Sequence, residues 1–133
     1  MRKFEKEKNF SIDLNKSPMK SLEKTEILIT DNSTISMEFL FVFKRPTLFI
    51  NYKKKIHNIH FNKSSNVPFE NIVREKFGFE IDICNISMLP KVIKKIQKNK
   101  FSIIKINEFL NENVFNVGNS AKIAAKFLND LSN

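Results

Sequence analysis

One cysteine, two glycines, three arginines and no tryptophan stand among the 133 residues of the chain, and each scarcity closes off a class of chemistry. With Cys84 alone, no internal disulfide can form and a single chain cannot build a thiolate metal cluster. With Gly78 and Gly118 isolated, no glycine-rich loop is available to cradle phosphates. Long apolar runs are missing too. The longest is Phe39 to Phe43, far short of the roughly 18 residues of a membrane-spanning helix. The opening MRKFEKEKNF mixes both charge signs around no apolar core, so it does not read as a secretory signal. The expectation is a soluble, intracellular protein in a reducing compartment.

Acids are absent from two whole windows. Between Glu38 and Glu70 the only charges are Lys44, Arg45, Lys53, Lys54, Lys55 and Lys63, and between Asp82 and Glu108 they are Lys91, Lys94, Lys95, Lys98, Lys100 and Lys105. The remainder of the chain is slightly acidic, so the formal charge of +9 is concentrated in two stripes. Such stripes are the electrostatic footprint of a protein that meets a polyanion, and they are expected to converge on one surface. An A- and T-rich coding sequence would account for the abundance of Lys, Asn, Ile and Phe, but not for the clearing of acids from two blocks alone. Scarce arginine favours contact with phosphates over reading of base edges, which leans on arginine forks.

Length and a hydrophobic content of 41% suit one core and not two. Residues 1–24 alternate Lys and Glu around few apolar anchors and read as a flexible tail, with residues 25–133 as a single domain. Strands are predicted at Thr25–Thr30, Ile35–Phe43, Thr47–Tyr52, Ile56–Phe61, Phe79–Cys84 and Phe101–Ile106. The second and third of these are joined by a Lys44-Arg45-Pro46 turn. Helices are predicted where apolar residues recur at helical spacing. One has Asn66 as its cap, Pro68 in its first turn and a left-handed Gly78 at its end. A second, from Ser87, sets Leu89, Val92, Ile93 and Ile96 opposite Lys91, Lys94, Lys95 and Lys98. The last begins at Asn119 or Ser120, after a Gly118 turn, with Ile123, Phe127, Leu128 and Leu131 as a buried stripe. The class is α+β: a mixed or antiparallel sheet with about three helices packed on it.

Catalytic candidates are few. His57 and His60 are three apart on a segment read as extended, which sends them to opposite faces and argues against a shared metal. Either one, with Tyr52 and Lys53 to Lys55 nearby, has the residue types of a metal-independent ribonuclease, although two surface histidines are the simpler account. Asp31, Glu38, Glu80 and Asp82 lie on or beside predicted strands. Glu80 and Asp82 share a face that suits Mg²⁺ in principle and solvent more simply. No cofactor and no metal are implied.

The segment Phe43–Ile56 (FKRPTLFINYKKKI) resembles the strand, Arg-Pro turn and opening of the Lys-rich helix of the type II KH domain in the third protein of the small ribosomal subunit. From Lys95 to the end, the chain is similar to that family's closing strand and following helix, with Ala121, Lys122, Ile123 and Ala125 echoing an Ala-Lys-Leu-x-Ala pattern. The family's Gly-x-x-Gly clamp would fall on Asn51, Tyr52, Lys53 and Lys54, where both glycines are missing, so the close approach of backbone to phosphate is lost. The resemblance implies that Phe101–Ile106 and Ile35–Phe43 share one sheet. It also implies a structural ribosomal component in a mitochondrion or a bacterial cytoplasm, contacting ribosomal RNA and neighbouring ribosomal proteins and needing no membrane or small-molecule substrate. The residues expected to touch RNA are Lys44, Arg45, Lys53, Lys54, Lys55, Lys63, Lys91, Lys94, Lys95, Lys98 and Lys100. A toxin-type ribonuclease and a protein-interaction module with incidental charge are the alternatives.

Overall fold

The computed structural model describes residues 4, 6–31, 33–52, 67–99 and 102–132, and in them three short strands form one sheet. β1 (Leu28–Thr30), β2 (Thr47–Asn51) and β3 (Gly78–Asp82) lie in the order β1-β2-β3. Both pairings are parallel, with Leu28 opposite Thr47, Leu48 opposite Phe79 and Ile50 opposite Ile81. The expectation of a mixed or antiparallel sheet is thereby corrected. The reason is the segment Ile35–Phe43, which is helical where a strand was expected: α2 (Ile35–Glu38) runs on into a π-helical turn, Phe39–Phe43. A parallel pair needs such a crossover between its strands. The FLFVF run has no polar punctuation to distinguish period 2 from period 3.6, and tertiary packing decides between them. Lys44 ends the turn in the left-handed conformation, with φ 54°, and its Nζ donates to the Phe41 carbonyl at 2.9 Å.

The other helices are α1 (Met19–Lys24), α3 (Phe69–Phe77), α4 (Leu89–Lys98), α5 (Ile103–Asn113) and α6 (Ser120–Ser132). A 3₁₀ segment, Ile83–Met88, joins β3 to α4. The described residues make a small α+β domain, as the intermixed elements predict. The strand expected at Phe101–Ile106 is also corrected: α5 starts at Ile103, and the Ser102 hydroxyl accepts from the Lys105 backbone N–H at 3.4 Å as its N-cap. The strand pairing that the KH resemblance implies between these two segments is therefore absent, both being helical. The expected strand Ile56–Phe61 and the Asn66 cap lie outside the described residues.

Alternation along the strands sends side chains to two different layers. On one face Leu48, Ile81 and Ile96 form a buried cluster, with Ile50, Phe79, Leu89, Val92 and Ile93 packed around them, so α4 covers this side. On the other, Phe49 carries the Arg74 guanidinium of α3 at 4.5 Å from its ring centroid. Beyond α3 lies a second cluster of Leu40, Val73, Ile106, Phe109 and Leu110. Its hub is Phe109, whose ring meets Phe77 edge-on at 5.2 Å and stacks with Phe69 at 5.7 Å. Aromatic pairs in these geometries contribute about 0.5–1.5 kcal/mol each beyond simple burial.

Gly78 is not the left-handed cap expected of it. Its φ of −85° and ψ of 157° are extended, and it is the first residue of β3. What requires glycine is proximity: a Cβ there would sit 2.6 Å from both the Arg74 carbonyl oxygen and the Phe49 ring. Gly118 does adopt the left-handed region, with φ 79° and open space around it. The α6 stripe is a further correction. Ile123, Phe127, Leu128 and Leu131 are exposed, and no residue from Asn111 to Ser132 is buried.

In the N-terminal segment α1 buries Leu22. Arg45 reaches back to it, its Nη1 donating to the carbonyls of Glu23 at 2.6 Å and Thr25 at 2.7 Å. Ahead of α1, Asp13 accepts from the Ser21 hydroxyl at 2.5 Å, and that bond, with those from Asn15, holds its carboxyl below the ordinary value.

Two stability outcomes follow from these contacts. Gly78→Ala should lower unfolding free energy by about 2–3 kcal/mol, since backbone and a ring must both retreat, whereas Gly118→Ala should lose about 1 kcal/mol by left-handed strain alone. Denaturant titration compares them, and an equal or smaller loss at Gly78 would contradict the tight α3–β2 contact. Arg45→Ala should remove about 1–2 kcal/mol and open residues 19–24 to limited proteolysis before the rest of the domain; retained protection would show that α1 is held by Leu22 alone.

Candidate nucleic-acid interface

The lysine face of α4 is built by the same periodicity that builds its core face. Pro90 stands in the first turn, where a missing N–H is no loss. Leu89, Val92, Ile93 and Ile96 then turn toward Leu48 and Ile81, with Ile96 at 2% exposure. At 100° per residue, Lys91, Lys94, Lys95 and Lys98 fall within an arc of about 100° on the opposite side, along about 10 Å of axis. All four are exposed. Among the described residues none of them takes part in an ion pair.

Helix electrostatics separates these four. Lys95 and Lys98 lie in the last turn, where cations stabilise the helix by interacting with its dipole. Lys91 is the third helical residue, at the positive end, and no acid accompanies it in the first turn. α4 contains no acid at all, so no Glu or Asp at i±3 or i±4 offsets the repulsion among its cations. α3 follows the opposite rule, with Glu70 in its first turn and Arg74 and Lys76 in its last. Within α4, therefore, Lys91 is placed unfavourably for the helix, while Lys95 and Lys98 favour it.

The first acid-free window is placed differently. Lys44 and Arg45 are half-buried and bound to backbone carbonyls, as described above, so both have structural roles in this fold. Lys53, Lys54, Lys55, Lys63 and Lys100 lie outside the described residues, as do His57 and His60, and with them the expected convergence of the two stripes. Lys105 is exposed on α5.

Glu80 and Asp82 do share a face, as alternation predicts, and it is the face away from α4. There Asn51, the last residue of β2, donates through Nδ2 to Glu80 at 3.2 Å and to Asp82 at 3.1 Å. Arg74 completes the group: its Nε pairs with Glu80 at 2.6 Å and its Nη2 donates to the Asn51 side-chain oxygen. Asn51, Arg74 and Glu80 border an open cleft of about 590 Å³, lined also by Asn71, Glu75 and Gly78 and flanked by the exposed Tyr52. The carboxylates of Glu80 and Asp82 are already matched by Asn51 and Arg74, and no group of three metal-ligating side chains exists among the described residues. The network fastens β2, β3 and α3 together. Sequence reasoning missed it because Arg74 is 23 residues from Asn51 and nothing local marks either one.

Among the described residues, no helix is long and apolar enough to cross a membrane. No protein-family model, curated protein or solved structure matches the chain.

Proposed function

We propose that this protein is a non-catalytic RNA-binding protein that grips the phosphate backbone of folded RNA through the lysine face of α4. The observation that carries this reading is the placement of Lys91, Lys94, Lys95 and Lys98 on one exposed arc, with no ion pair among the described residues and with Lys91 set against the helix dipole. Cations placed for helix stability alone would collect in the last turn or alternate with acids. Four that face one way over about 10 Å suit a line of phosphates, each contact releasing condensed counterions. Lysine supplies point charges without the planar fork used to read bases, so the binding is directed to backbone and shape. Ribosomal RNA, an abundant folded RNA, is the first to test, and the grip on it rests on side-chain charge without a glycine clamp.

The charge arrangement makes stability and binding respond with opposite signs. Lys91→Glu should raise unfolding free energy by about 0.3–1 kcal/mol, because it places an acid at the positive end of α4 and within reach of Lys94 and Lys95. The same change should weaken RNA binding. Fluorescence anisotropy against folded ribosomal RNA across a salt series provides the second readout, and loss of binding without gain in stability would assign Lys91 a structural part.

Replacing Lys91, Lys94, Lys95 and Lys98 together by Gln should leave unfolding within about half a kcal/mol of wild type. The slope of log affinity against log salt should flatten by about 0.7–0.9 for each phosphate contact removed. Arg45→Gln, altering a cation already bound to carbonyls, serves as the control and should keep the wild-type slope. An unchanged slope in the fourfold variant would overturn the proposal, as would tighter binding to duplex DNA than to RNA. Cleavage of RNA by wild-type protein in the presence of a metal chelator would overturn the non-catalytic part of it.

A further inference from the structure

A second cleft, of about 370 Å³, opens where α4 ends and α5 begins. Asn99, the C-cap of α4, and Ser102, the N-cap of α5, line it together with the half-buried Phe77 and Phe79. Its charged lining is of one sign. Lys76 and Lys105 both border the cleft, and no acid borders it among the described residues. Phe109 explains why the two lysines meet there. The Lys76 Nζ lies 5.0 Å from the centroid of that ring, and Lys105 stands four residues before Phe109 on the same side of α5.

No carboxylate pairs with either cation among the described residues, and Glu108, one turn beyond Lys105, does not line the cleft. Lys105 is also the third residue of α5, at the positive end of the helix dipole, with no acid in the first turn. Like charges gathered in this way disfavour the empty cleft and favour an anion in it.

We propose that this cleft is a phosphate-binding site, in which Lys76 and Lys105 clasp one phosphate group of the RNA that runs along α4. Neutral donors stand beside the two ammonium groups. The Ser102 hydroxyl accepts from the Lys105 backbone N–H and keeps its own proton for donation, while the Asn99 side-chain amide makes no hydrogen bond among the described residues. Side chains of both kinds commonly complete contacts to phosphate oxygens. The volume lies in the range of small-ligand sites, so the cleft has room for more than a bare phosphate, and Phe77 and Phe79 offer apolar surface to the attached sugar or base. Placement selects RNA as the source of the phosphate. Asn99 follows Lys98 directly, so the cleft adjoins the end of α4 at which a strand following its lysine face leaves the helix. The proposal rests on the RNA-binding reading for that source alone; the chemistry of the cleft is its own.

Two measurements on the full chain test it. In two-dimensional amide NMR spectra, uridine monophosphate should shift the signals of Asn99, Ser102 and Lys105 saturably, uridine should not, and the double variant Lys76→Met, Lys105→Gln should lose the shifts. Methionine preserves the apolar contact with the Phe109 ring. Lys105→Gln alone, at an exposed position, carries the test if the double variant unfolds, and should weaken monophosphate binding by about threefold. In fluorescence anisotropy against folded ribosomal RNA, the double variant should flatten the slope of log affinity against log salt by about 0.7–0.9, the loss of one phosphate contact. That flattening would support the cleft even if the fourfold α4 variant kept the wild-type slope. An unchanged slope here, beside a flattened one for α4, would overturn the cleft and spare α4. Saturable monophosphate binding without any effect of the double variant on RNA would give the cleft to a free phosphorylated molecule and overturn the assignment to RNA. Absence of a saturable shift, equal shifts with uridine, or monophosphate binding unaltered by Lys105→Gln would overturn the site itself.

Discussion

A parallel sheet has to be covered on both faces, because its strands are too apolar to leave either side in water. In this chain β2 meets that constraint with Leu48 and Ile50 on one face and Phe49 on the other, and each face draws a different helix. α4 closes the first and α3 the second. Once α4 is committed through Leu89, Val92, Ile93 and Ile96, the outward direction of its lysines follows without further instruction. The same constraint explains the close approach at Gly78, where α3 gives way directly to β3 and the turn of chain leaves no room for a side chain.

The two cores differ in kind. The cluster under α4 is aliphatic apart from Phe79, drawn from adjacent strands and one helix. The cluster around Phe109 is aromatic and joins three helical segments, with Phe41 from the π-helical turn, Phe69 and Phe77 from α3 and Phe109 from α5. Lys76 lies over the Phe109 ring, its Nζ 5.0 Å from the centroid. This second cluster is what converts Ile35–Phe43 and Ile103–Asn113 into helices: their apolar residues gain partners only when wound so that every third or fourth side chain points inward. α5 thereby buries Ile106, Phe109 and Leu110, whereas α6 buries no residue in either core.

What the sequence made legible was local. β2, β3, α3, α4 and α6 lie close to where periodicity puts them, because Pro68, Gly78, Pro90 and Gly118 punctuate those segments. The run FLFVF and the segment SIIKI were misread as strands for the same reason, since short apolar runs rich in β-branched or aromatic residues satisfy both periods. Ser102 followed by apolar residues at 103, 106, 109 and 110 was the signal for α5, visible only when the window extends past Ile106. Strand direction was not legible, because it depends on whether Ile35–Phe43 is a strand or a crossover. For the candidate interface, the α4 face was readable to the residue, whereas the structural use of Lys44 and Arg45 was hidden, their partners being carbonyls that no sequence pattern names.

The clamp from Arg45 to Glu23 and Thr25 spans 22 and 20 residues of chain. A ribosome adding about 5–20 residues per second therefore brings α1 out of its exit tunnel roughly one to four seconds before the guanidinium that fastens it. During that interval α1 is open to chaperones, modifying enzymes and proteases. Afterwards, with Leu22 buried and the guanidinium in place, the same residues belong to the folded domain, so any processing of this segment has to be early.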